Sequence, residues 1–141
     1  MDAPIIVAII TAVAGLFASS LTFLLTKKKE REAEWRKQKL DHYKEFMAAL
    51  NDIVGPPAPV EAKVRFASAA NNIFLVGSPA VLIALRGYLD ETAESNTNRS
   101  NDTHDKCLTM LVFAIRSDLG IEPNKPIDDY VFRLWAGRSH Q

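Results

Sequence analysis

The side chains best suited to chemistry lie close together at Asp102, His104, Asp105 and Cys107. His104 and Cys107 are three apart, so a helix would put them on one face, and imidazole beside thiol is the raw material of a zinc site or of a nucleophile and its base. A zinc site needs about four such ligands, and a Cys–His pair needs a third group to orient the base. No second Cys or His pair accompanies them. The same residues read as the start of a helix, with Asp102 or Thr103 as its cap and Cys107 as a small hydrophobe at the rim of the core. His42, beside Asp41 and Glu45, reads as a partly exposed surface histidine, and His140 lies at the end of the chain. Asp90-Glu91 and Asp128-Asp129 are adjacent acids, which point in different directions on a helix and make no acid–base pair. No Gly-rich phosphate loop, GxSxG or HExxH occurs. These residues are expected to perform no catalysis and to hold no metal or cofactor.

Two further polar residues, Arg116 and Asp118, close the run Ile115-Arg116-Ser117-Asp118-Leu119-Gly120. Arg116 near a helix C-terminus complements the dipole and reaches terminal carbonyls, and a contact to an anion or partner is the alternative.

The element that positions everything else is the uncharged run Ala3–Thr26, closed by Lys27-Lys28-Lys29. As a helix, Ile5 to Leu25 covers ~31 Å, the thickness of a bilayer's hydrocarbon core. Pro4 falls in the first turn, where a helix tolerates it. A signal peptide would have a basic N-terminal region and a shorter apolar core, whereas Met1-Asp2-Ala3-Pro4 carries an acid and no base. The reading is a membrane-spanning helix.

Lys27, Lys28, Lys29, Arg31, Arg36, Lys37 and Lys39 all follow the span, and with Glu30, Glu32 and Glu34 interleaved they leave a net excess of four positive charges. The positive-inside bias places the C-terminal part in the cytoplasm, as a single-pass protein of the inner membrane with its N-terminus outside. The basic flank, led by Lys27, Lys28, Lys29 and Arg31, is drawn to anionic headgroups. Thr11, Gly15 and Ser19, at i, i+4 and i+8, form a small-residue ridge that would let two spans approach closely. Trp35 falls beyond the span, as a headgroup anchor or a first contact of the bundle.

With 17 basic and 17 acidic residues overall, the basic excess is local to the flank, and the mildly acidic remainder is not a nucleic-acid binder. A single cysteine makes no internal disulfide, in keeping with a reducing compartment. The sequons at Asn98 and Asn101 are coincidences in a polar loop on the cytoplasmic side.

The expected organisation is an anchor over 1–26, a stalk over 27–39 and a cytoplasmic bundle over 40–141. The membrane helix should run on through the stalk, with Leu40, Tyr43, Met47, Leu50 and Val54 as its inner face, widened by Phe46, Ala49 and Ile53, until Gly55-Pro56-Pro57 stops it. A second helix, Pro59 to Leu75, is expected to turn Val60, Val64, Ala67, Ala70 or Asn71, and Phe74 inward, flanked by Ile73. Ser78-Pro79 opens a third, with Val81, Leu82, Leu85, Tyr88 and Leu89 inward, and Thr92–Asn101 is a loop. A fourth turns Leu108, Leu111, Val112, Ile115 and Leu119 inward and ends at Gly120. A short last helix is expected from Ile127 to Ala136, with Asp128 and Asp129 at its start. No two-residue alternation bounded by hairpin turns occurs, so the fold class is all-α: a transmembrane helix continuing into a bundle of about four helices plus a short terminal one.

This order of features, with Trp35-Arg36-Lys37, Lys39-Leu40-Asp41-His42-Tyr43-Lys44-Glu45-Phe46 and Ile115-Arg116-Ser117-Asp118-Leu119-Gly120, is similar to bacterial membrane-anchored helical proteins of uncharacterised role, some of them among phage and mobile-element genes. The resemblance implies a cytoplasmic bundle and a bacterial origin, and assigns no catalytic residue. The function read from the residues is a non-enzymatic module that binds a protein partner or self-associates, in contact with the bilayer. The aromatic tail, Tyr130 and Trp135, and the Thr92–Asn101 loop are its expected contacts. A sensor or effector whose span oligomerises on binding, and a small enzyme using Cys107, His104 or the acids, are the alternatives.

Overall fold

Between Ala3 and Ile53 the chain has one glycine, Gly15, and one proline, Pro4 in the first turn, so nothing breaks a helix until Gly55. The computed structural model describes residues 2–54 and 57–134. Its elements are α1 (Ala3–Ile53), α2 (Val60–Val76), α3 (Pro79–Thr92) and α4 (Asn101–Leu119). Among the described residues there is no strand, and the fold is all-α. The chain divides into two units, Met1–Lys37 and Gln38–Gln141.

In the first unit the side chains of α1 are exposed throughout, the apolar ones from Ile5 to Leu25 included. This is the one helix among the described residues long and apolar enough to cross a membrane. A helix apolar all round needs a low-dielectric surrounding, and here none of it is buried in protein.

The second unit is a four-helix bundle made by the last part of α1 with α2, α3 and α4. Its core holds Tyr43, Phe46 and Leu50 of α1, Ile73 of α2, Val81 and Leu85 of α3, and Leu108 and Leu111 of α4. On α1 Tyr43, Phe46, Ala49 and Leu50 are buried and Leu40, Met47 and Ile53 partly so, but Val54, expected inward, is exposed just beyond the helix end. On α3 and α4 the buried face is the periodic one expected from the sequence.

On α2 it is not. Val60 and Val64 point to solvent, and the buried residues are Ala69, Ala70 and Ile73, with Phe66 partly buried beside them. The helix is apolar on two opposite faces, so periodicity alone could not choose between them. Apolar packing on α1 decides it, with Phe66 on Phe46 and Ile73 in the core, and ion pairs of Arg65 border that contact. Arg65 donates through Nε to Glu45 at 2.8 Å and also binds Asp52, while Phe66 packs on Phe46 with ring centroids 5.5 Å apart.

The helix ends follow local chemistry. Ser100 caps α4, its Oγ accepting from the Thr103 amide at 3.0 Å, ahead of the expected Asp102 or Thr103, both of which lie within the helix instead. Gly120 closes α4 in the left-handed region, φ 66°, with Gly120 N–H donating to Ser117 and Ile121 N–H to Arg116. Those two bonds form a Schellman motif and satisfy carbonyls left open by the helix end. Ser78 precedes Pro79 at the start of α3 as expected, without a side-chain cap. The Gly55-Pro56 stop lies outside the described residues.

The short helix expected from Ile127 is absent over 127–134. Asp129 sits at φ 61°, which no right-handed helix accommodates, and the Tyr130 amide closes a turn onto the Ile127 carbonyl at 3.1 Å. The next stretch is irregular and lies along α4, because the Phe132 amide donates to Thr109 Oγ1 at 2.8 Å instead of to a helical carbonyl. Phe132 and Leu134 pack against the core from there.

Candidate functional site

The span carries the residues expected to associate. Thr11, Gly15 and Ser19 are exposed. Thr11 Oγ1 donates to Val7 O at 2.9 Å and Ser19 Oγ to Gly15 O at 2.8 Å, so each hydroxyl proton is satisfied within the helix and the ridge is left smooth. A Cβ added at Gly15 would meet nothing within 4 Å. Of the basic flank, Lys27 pairs with Glu30 at 2.7 Å and lies 5.9 Å from the Phe23 ring centroid, Lys28 is 3.9 Å from Glu32, and Lys29 and Arg31 are exposed. Such exposed pairs contribute little stability and leave the charges available to a surface. Trp35 is half-exposed.

In the bundle, His104 and Cys107 line different surfaces. Tyr88 Oη lies 3.2 Å from His104 Nε2, and His104 Nδ1 lies 3.2 Å from Asp105 Oδ1. Asp105 in turn accepts from Arg133 Nε at 3.0 Å. This chain joins α3, α4 and the C-terminal segment by polar contacts. Burial pushes the Tyr88 phenol up to about 12, with a further contribution from Cys107, so the hydroxyl keeps its proton. Among the described residues no group of three or more His, Cys, Asp and Glu could hold a metal ion.

Cys107 faces a different surface, a groove of about 630 Å³ between α3 and α4. Small residues make it: Ala80, Ala84 and Gly87 on α3 and Ala114 on α4. Ile83, 74 % exposed, and Met110, 55 % exposed, stand at its edges. Gly87 is inside a helix, where glycine costs about 1 kcal/mol relative to alanine. A Cβ there would meet nothing within 4 Å, so the glycine relieves no internal clash and instead deepens the open groove. Burial, with the charge of Glu91 added, pushes the Cys107 thiol up, which makes it a poor nucleophile. Apart from that thiol, the ammonium of Lys106, the hydroxyl of Ser117 and the amide of Asn124, the lining is hydrocarbon or thioether. The chemistry of this lining suits apolar groups.

Sequence reasoning missed a third cluster. Lys39 Nζ donates to both oxygens of Asp118, at 2.9 and 3.0 Å, and Tyr43 Oη donates to Asp118 Oδ2 at 2.5 Å. The Asp118 and Lys39 side chains are 8 % and 15 % exposed. Burial first, then the bond to Asp118 and its charge, holds the Tyr43 phenol far above its usual range. Lys39, counted from the sequence among the flank bases, is thus spent on α4. The i, i+4 spacing of Lys39 and Tyr43 was visible, but their acceptor lies more than seventy residues away.

Arg116 binds beyond the helix rather than at its terminal carbonyls: Nε donates to Pro123 O at 2.7 Å, and the guanidinium also reaches Glu122 O. It holds the turn that sends the chain back along α4. Tyr130, an expected partner contact, is half-exposed with its ring edge-on to Phe113, the centroids 6.2 Å apart, while Trp135 lies outside the described residues. In the Thr92–Asn101 loop, Glu91 accepts from the Ser100 amide and from Asn96, and Arg99 binds the Ala93 carbonyl, so its polar groups are largely spent on one another. Comparison of the chain with protein-family models, curated protein sequences and solved structures gives no match.

Proposed function

We propose that this chain is a single-pass membrane protein that holds a non-enzymatic helical interaction module at the cytoplasmic face of a bacterial inner membrane. The apolar first part of α1 supports the anchor, and the one-sided basic flank supports the orientation. The observation that carries the function is the open α3–α4 groove, which takes an apolar segment of a partner protein between Ile83 and Met110. Leaving such surface in water opposes folding stability, and occupation by a partner returns that free energy.

The test places a photo-crosslinking residue at Met110 in the full-length chain in native membranes, with Asn98 as an exposed control. A discrete adduct from position 110, absent at 98 and lost when Ile83→Asp is added, is the expected result. Equal labelling from both positions would remove the groove from consideration.

A further inference from the structure

The face of α2 that the bundle leaves unused has an order of its own. Val60, Val64, Ala67, Asn71, Phe74 and Leu75 are all exposed. The first five are spaced +4, +3, +4, +3, a heptad seam with Val64 and Asn71 at a positions and Val60, Ala67 and Phe74 at d, while Leu75 widens it at e. We propose that this stripe pairs with the same stripe of a second copy of this chain in the same membrane, parallel and in register. The inference rests on the reading of the bundle as an interaction module and names one of its partners.

Area selects the occupant. Val60, Val64 and Leu75 are 71, 63 and 82 % exposed and Phe74 40 %. Taking roughly 100 Å² for a large aliphatic side chain and about 200 Å² for phenylalanine, the stripe offers about 300 Å² of apolar surface. Two copies contribute about 600 Å², and with a polar rim in the usual proportion the contact reaches about 1,000 Å². That is the threshold of a specific interface and short of the ~1,200–2,000 Å² of a stable one in solution. Two heptads are also too few for a free coiled coil. Both deficits are met when the partner is confined to the same bilayer, because tethering raises the effective concentration toward the millimolar range, and when the helix is already folded on its own bundle. A second copy meets both conditions.

Asn71 selects the register. In a parallel pair it faces its counterpart, and the two amides hydrogen-bond across the seam; in an antiparallel pair it would face an apolar d residue and lose its partner. Lys63, at g, opposes Ser68 at e of the other copy in the parallel arrangement, so no like charges meet. Its contact with Glu94, 3.5 Å, lies within the same copy and neutralises it further.

The experiment uses the full chain with Cys107→Ser, reconstituted in vesicles of phosphatidylethanolamine and phosphatidylglycerol. Under mild oxidation, Ala67→Cys, with Asn71 kept, is expected to give disulfide-linked dimer at least tenfold faster than Asn98→Cys. Adding Val64→Glu should lower that rate at least tenfold with the helical circular dichroism unchanged, since residue 64 is on the surface. Equal rates at 67 and 98 overturn the seam. Linkage between Val64→Cys and Phe74→Cys in place of 67 to 67 overturns the parallel register, and an adduct of residue 67 with a different protein in native membranes, without self-linkage, overturns the self-pairing. Adducts from Met110 report the groove separately, so failure of the seam and failure of the interaction module give different results.

Discussion

Replacing Asp118 tests the contact that closes the bundle unit between its α1 and α4 segments. Asp118→Leu removes the acceptor of two Lys39 bonds and one Tyr43 bond, in a place where the carboxylate is 8 % exposed. Breaking a buried pair by removing one partner costs about 3–5 kcal/mol. Lys39, at 15 %, sits near enough to the surface for its ammonium to recover some water, which lowers the expected cost to about 3 kcal/mol. Lys39→Met should cost a similar amount, because it strands the carboxylate with only the Tyr43 hydroxyl. The double change Lys39→Met/Asp118→Leu removes both charges of the pair together and leaves the Tyr43 hydroxyl without its acceptor, for about 1–2 kcal/mol. The assay is denaturant unfolding of the full-length chain in detergent micelles, followed by the helical signal of the bundle and compared as a double-mutant cycle. A single change costing under ~1 kcal/mol, or a double change costing the sum of the two singles, would refute the reasoning, since either outcome means the charges are solvated independently.

The buried tyrosines and the left-handed Gly120 are each open to a direct measurement. Tyr88 is raised to about 12 and Tyr43 further still, whereas both titrate near 10 when unfolded. Their contribution is therefore constant below about pH 10 and falls above it by about 1.4 kcal/mol per pH unit for each tyrosine, as the unfolded chain releases protons that the folded one keeps. Urea midpoints measured from pH 9 to 11.5 should show that decline, and Tyr43→Phe/Tyr88→Phe should flatten it; a flat wild-type profile would contradict the buried assignment. Gly120→Ala should destabilise the bundle by about 1 kcal/mol through the positive φ alone, because a Cβ there meets nothing within 4 Å. Gly120→Asn, whose side chain tolerates that region, should cost less in thermal unfolding, and equal losses would point to a steric origin instead.

What the residues determine unaided is whatever depends on neighbours a few positions apart. The uncharged run to Thr26, the four helices, the left-handed Gly120 and the buried faces of α1, α3 and α4 are consequences of local periodicity and capping, and the chain alone shows them. Tertiary structure decides wherever local rules tie or fall silent. On α2 two apolar faces compete, and the packing of Phe66 on Phe46 and of Ile73 in the core decides which one is buried and which is left outside. After α4 the acids at 128 and 129 suit a helix start, yet the Phe132 amide finds Thr109 and Asp129 turns left-handed, so the segment lies along the bundle instead. The bond from Lys39 to Asp118 and the groove between α3 and α4 belong to the same class. Each joins side chains from separate helices, and only packing brings those helices within reach.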